Sequence, residues 1–186
     1  NGRLGWIQPV EIEETELELV IPSFELPWTG NNVFTIALPG KVDVGGESME
    51  FFLIENRYRE SGAIFDTHLP ESGILIWHVD ETNVRARHSF DAAGQIWLED
   101  PNDPEHLGIH PYKQGVRDLR FITDGAAFSA NDTQTSFTPA SRPNSNANDG
   151  TGSGISITNI GFEGQSMSLF VSFGDTYEPN NSIETA

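Results

Sequence analysis

The chain has 186 residues, with 28 acidic side chains against 10 basic ones and a formal charge of −18. That balance excludes a phosphate-binding surface, which needs a basic stripe to release counterions, and it disfavours an anionic membrane surface. There is no cysteine, so disulfides and thiolate metal sites are excluded too.

A chain of this length buries roughly 70% of the surface its unfolded form exposes. Twelve Phe and four Trp within a 37% hydrophobic fraction mark a folded domain with its own core. The acidic surface favours solubility and cation binding. No run of 18 apolar residues occurs, so no helix of this sequence spans a bilayer. Asn1 is not a natural start, and the chain is read as a piece of a longer protein.

Taken in order, the apolar spacing has a period near two. In residues 10–21, Val10 and Ile12 share one parity while Leu17, Leu19 and Ile21 take the other, which predicts a bulge or break near Glu13 and Glu14. Residues 33–38 form a second predicted strand, closed by Pro39-Gly40. MEFFLI (49–54) and GILIWHV (73–79) are apolar on both parities, as expected of central strands covered on both faces. Residues 155–160 and 167–173 are two further strands; the last alternates Met167, Leu169, Val171 and Phe173 with serines. The one short helix candidate lies in 82–88. The predicted fold is all-β, a β-sandwich or twisted antiparallel sheet with two long irregular segments at 82–114 and 126–154. Residues 1–173 form the domain, and 174–186 lose the periodicity and read as a linker.

Three sets of residues bear on chemistry. His106 and His110 stand four apart, but Leu107 occupies the place where a zincin needs its glutamate, and Gly108 and Pro111 oppose a helix. Neither a His-Glu-x-x-His motif nor a Gly-x-Ser-x-Gly elbow is present, so no catalytic residue is assigned. Glu55 continues the parity of Phe51 and Leu53, and His78 and Asp80 that of Ile74 and Ile76. Polar groups entering a core must be bonded, paired or metal-bound. They form either a site at the rim of the central strands or, the preferred reading, anchors that bond Arg57, Arg59 or loop backbone and pin the long segments. Finally, Asp100, Asn102, Asp103 and Glu105 put four oxygen-bearing side chains within six residues, which suits calcium, although the spacing is not that of an EF-hand. Asn131-Asp132 and Asn148-Asp149-Gly150 are secondary calcium candidates.

Several segments, in order, resemble the region that follows the zinc-binding core in the immune inhibitor A family of secreted bacterial metalloproteases. They are LGWIQPVEI (4–12), FLIENR (52–57), GILIWHVDE (73–81), FTP (137–139) and SGISITNI (153–160). The third, close to the family's GLLIWHIDE, is the most specific, and the similarity spreads over about residues 4–173. DTYEPNN (175–181) is similar to the opening of a bacterial pre-peptidase C-terminal domain. The resemblance implies a secreted, extracellular, non-catalytic β-domain that stabilises or shapes an upstream protease domain of the same polypeptide. Zinc would then reside only in that missing catalytic domain, whose ligands match no position here. The alternative is a carbohydrate- or surface-binding sandwich, with Trp28, Trp97 and Tyr112 stacking on sugar rings. Neither reading involves nucleic acid or membrane insertion.

Overall fold

The computed structural model describes residues 9–13, 16–24, 32–42, 45–46, 49–59, 66–69, 71–80, 96–99 and 127–174. Its centre is the pair that the sequence marks as apolar on both parities. β4 (Glu50–Arg57) and β5 (Gly73–Asp80) run antiparallel and pair along their whole length, from Glu50 opposite Asp80 to Arg57 opposite Gly73. Only Trp77 of β5 is less than fully buried, as expected of a strand covered on both faces.

β3 (Val33–Ala37) flanks β4, and β1 (Val10–Glu11) lies parallel to β3 at the edge. On the other side, β6 (Ile96–Leu98) pairs antiparallel with β5 and completes a five-stranded sheet. β6 corrects the expectation that 82–114 is irregular throughout. A three-residue run gives too short a period-two signal to stand out, and only pairing with β5 makes it a strand.

The second sheet has three antiparallel strands in the order β2 (Glu16–Pro22), β8 (Ser166–Phe173), β7 (Ile155–Thr158). The parity change between Ile12 and Leu17 therefore marks the place where the chain leaves one sheet and enters the other. Along β8, Met167, Leu169 and Val171 are buried while Ser166 and Ser168 are exposed, the alternation of a sheet with one wet face. Side chains of both sheets, such as Ile36, Phe52 and Ile76 from the first and Ile21, Ile157 and Leu169 from the second, share one core. The described fold is thus all-β, two sheets packed face to face as a sandwich, with no α-helix among the described residues.

The segment 127–154 has no strand, yet it is part of that core. Phe128 bridges to Ile74 and Phe137 to Ile157, and both rings are buried. Phe137 meets Phe52 edge-on at 5.1 Å and Phe128 at 5.8 Å. Close approach of Phe128 to β5 requires Gly73, which sits at φ +146°. A Cβ there would lie 2.7 Å from the Ala127 Cβ and 2.9 Å from the Phe128 carbonyl oxygen. The Ser, Asn and Thr content of the segment has a local cause: their side chains take up backbone groups that no ladder reaches. The Thr138 N–H donates to Ser141 Oγ (2.7 Å), the Asn146 N–H to Asn144 Oδ1 (3.0 Å), and the buried Ser145 hydroxyl to the Ile155 carbonyl (2.5 Å).

Asn56 ties the two sheets together. Its Nδ2 donates to the carbonyls of Ile21 and Gly164, both at 3.0 Å, while its backbone carbonyl accepts from Phe24 N–H at 2.9 Å. Gly174, the first residue of the expected linker, still belongs to the sandwich, since its N–H donates to the Gly154 carbonyl at 2.7 Å.

Candidate functional site

The register of β4 and β5 decides which polar groups meet. Because Glu50 faces Asp80 and Phe52 faces His78, all four side chains point to the inner face of the sheet. His78 is 2% exposed, with Glu50 and Glu99 also at 2%. Its Nε2 lies 2.9 Å from Glu50 Oε1 and its Nδ1 3.1 Å from Glu99 Oε1. The Phe52 ring packs against the imidazole, with centroids 4.6 Å apart.

An oxygen stands at each ring nitrogen, so both nitrogens of the imidazole are engaged with carboxyl groups. Glu50 Oε1 also accepts from the Asn148 N–H at 2.6 Å, and Asn148 Nδ2 donates to Asp80 Oδ2 at 2.9 Å. Asn148 belongs to the segment 127–154, so β4 and β5 grip that segment through two carboxylates.

Lys41, in the turn between β3 and β4, carries the cluster to the surface. Its ammonium forms a 2.5 Å ion pair with Asp149. That hydrogen bond, with additional attraction from Glu50 and Asp80, raises the Lys41 pKa above its ordinary value. The Lys41 ammonium in turn holds the Asp149 carboxyl well below the usual carboxylate range, helped by hydrogen bonds from Thr151.

The sequence-derived trio does not assemble as one group. Glu55 lies on the outer face of the sheet, across the strand plane from His78 and Asp80. There Glu55 Oε1 accepts from Trp77 Nε1 at 3.0 Å, and Glu55 Oε2 lies 3.5 Å from Arg57. Arg57 also pairs with the fully buried Asp66 and stacks over the Phe24 ring at 4.7 Å. Of the partners expected for these residues, Arg57 lies beside Glu55, whereas Asp80 accepts from the Asn148 side chain and His78 meets Glu50 and Glu99.

Glu50 and Glu99, the partners of His78, escape a reading based on Glu55 alone. Glu50 was within reach of the parity argument, since it precedes Phe52 and Ile54 on the core-facing series. Glu99 follows a three-residue strand and carries no such signal.

Chemically the arrangement is a clamp. Each imidazole nitrogen of His78 is already held by a carboxylate, so neither serves as a base for a nucleophile or as a metal ligand in this geometry. Among the described residues no group of three or more His, Asp and Glu side chains is arranged to hold a metal ion. The side chains of the secondary calcium candidates bond to neighbouring residues. Asn131 exchanges hydrogen bonds with Glu163, both at 3.1 Å, Asp132 accepts from Ser129, and Asp149 pairs with Lys41. Asp100, Asn102, Asp103 and Glu105, the pair His106 and His110, the helix candidate at 82–88, residues 175–186, and the side chains of Trp28, Trp97 and Tyr112 lie outside the described residues.

Against known proteins, no family model, no curated protein and no solved structure matches the chain.

Proposed function

We propose that this chain is the non-catalytic β-domain of a secreted zinc metalloprotease similar to the immune inhibitor A family, serving to stabilise or shape a catalytic domain upstream on the same polypeptide. The observation that carries the reading is the placement of the resembling segments. FLIENR and GILIWHVDE, separated by residues 58–72, supply most of the two adjacent central strands, and SGISITNI supplies β7 on the opposite sheet. Segments that resemble a family one by one would be ordinary strands; here they sit around one core.

A second support is the character of the buried polar cluster. A histidine held at both nitrogens by buried carboxylates, one of which also accepts from a loop N–H, gives the rigidity expected of a supporting domain. In this reading the parent enzyme cleaves peptide bonds with a zinc-activated water held outside this chain. Calcium at Asp100, Asn102, Asp103 and Glu105 would be structural.

The test is reconstitution. Chain 1–186 alone should not hydrolyse casein, whereas joining it to the coding sequence that precedes it should give a zinc-dependent caseinase. Casein hydrolysis by the isolated chain, or an upstream sequence without a His-Glu-x-x-His segment, would sink the assignment.

A further inference from the structure

Among the described residues, the three-stranded sheet leaves one edge unpaired, along β2 from Glu16 to Val20. β2 pairs with β8, and just past its end Ser23 bridges to Asn56 of β4, where the Phe24 N–H donates to the Asn56 backbone carbonyl; β7 on the far side is bridged to Phe137. The hydrogen-bonding phase shows which backbone groups face outward. Ser23 N–H donates to Gln165 O, so the odd positions of β2 turn towards β8. Gly161 N–H donates to Ser168 O and Gly174 N–H to Gly154 O, so the even positions of β8 turn away from β2. Glu16, Glu18 and Val20, at the even positions of β2, therefore aim their N–H and C=O groups outward. Pro22 ends the series because it has no N–H.

The side chains of the same positions form the exposed row beside this edge. Glu16 and Glu18 are exposed and Val20 is 61% exposed, with half-buried Phe170 opposite Glu18. No Lys or Arg occurs in β2, β7 or β8. A second copy of the chain laid antiparallel along this edge would set glutamates against glutamates, and like charges directly opposite are destabilising. The charge that closes the edge to self-pairing fits a strand of opposite sign.

We propose that the open edge of β2 is a docking site that takes an extended basic protein segment as a fourth, antiparallel strand, with Lys or Arg side chains against Glu16 and Glu18 and an apolar side chain against Val20. Strand addition supplies the affinity through main-chain hydrogen bonds and the specificity through alternate side chains. From its N-terminus, the recognised pattern reads apolar-x-basic-x-basic. The site is independent of the assignment to a protease.

The probe is a labelled peptide containing Val-Thr-Lys-Thr-Lys, titrated into chain 1–186 by fluorescence anisotropy. Comparators are Val-Thr-Glu-Thr-Glu and a scramble with adjacent lysines. The expected result is binding of the first peptide alone, weakened at least about tenfold by E16K/E18K. The double variant E11K/E13K, which alters net charge equally at two exposed glutamates of the other region, should bind as the parent does. In the parent protein, bound peptide should slow hydrogen exchange at the Glu18 and Val20 amides. That measurement stands even if a variant folds poorly, which circular dichroism would reveal. Equal weakening by both double variants would reduce the effect to general attraction and overturn the proposal. So would binding without protection of those amides, self-association that protects them, or no binding at all.

Discussion

The two sheets of this sandwich treat charge in opposite ways. The five-stranded sheet carries Glu50, Glu55, His78 and Asp80 on its two central strands, all buried. The three-stranded sheet keeps Glu16 and Glu18 in solvent and buries only apolar side chains of β2, β7 and β8. A strand covered on both faces has no wet side to receive a polar residue, so each one must find a partner. A strand with one wet face needs none, and alternation suffices. Substitutions at the charged positions of the first sheet should accordingly be severe, and those on the wet face of the second mild.

Glu50→Ala should produce the largest effect. It removes the carboxylate that His78 Nε2 and the Asn148 N–H both contact in a buried site, and breaking such a pair costs about 3–5 kcal/mol. Urea denaturation of parent and variant measures the loss. A change below about 1 kcal/mol would show that the cluster holds little of the fold together.

Gly73→Ala comes next. The new Cβ meets Ala127 and the Phe128 carbonyl at less than van der Waals distance, at a φ that side chains rarely adopt. A loss of about 1–3 kcal/mol is expected, with faster exchange at the Ile74 and Phe128 amides that bond each other's carbonyls. Val20→Thr, on the wet face of β2, should alter stability by no more than about 0.5 kcal/mol in the same assay. A large loss there would remove the contrast between the sheets.

The smallest effect concerns pH. The Asp149 carboxyl titrates below its unfolded range, so its contribution is present above an unfolded pKa of about 3.9 and is lost as pH falls through the lower folded value. Asp149→Asn should leave the neutral-pH melting temperature nearly unchanged, because the pair is exposed and screened by solvent. It should also slightly flatten the decline of stability below pH 4. An unaltered acid decline would show that this ion pair has no influence on it.

Much of the sandwich was legible because burial leaves a periodic trace. Residues 49–54 and 73–79 announce doubly covered strands by being apolar on both parities, and residues 167–173 announce a one-faced strand by alternating. The parity change after Ile12 even marks the crossing between sheets, although not that two sheets are involved. β6 left too short a pattern, and 127–154 hides two core phenylalanines among residues that look like a solvated loop.

What the sequence by itself determined is the class of fold, the central strands, and the fact that charged groups enter their core. Those follow from composition and spacing along one strand. Only the tertiary structure decided that His78 meets Glu50 and Glu99 while Glu55 turns the other way to Trp77 and Arg57. Partner choice depends on the register between strands and on which segment closes over them, and neither is written in the periodicity of a single strand.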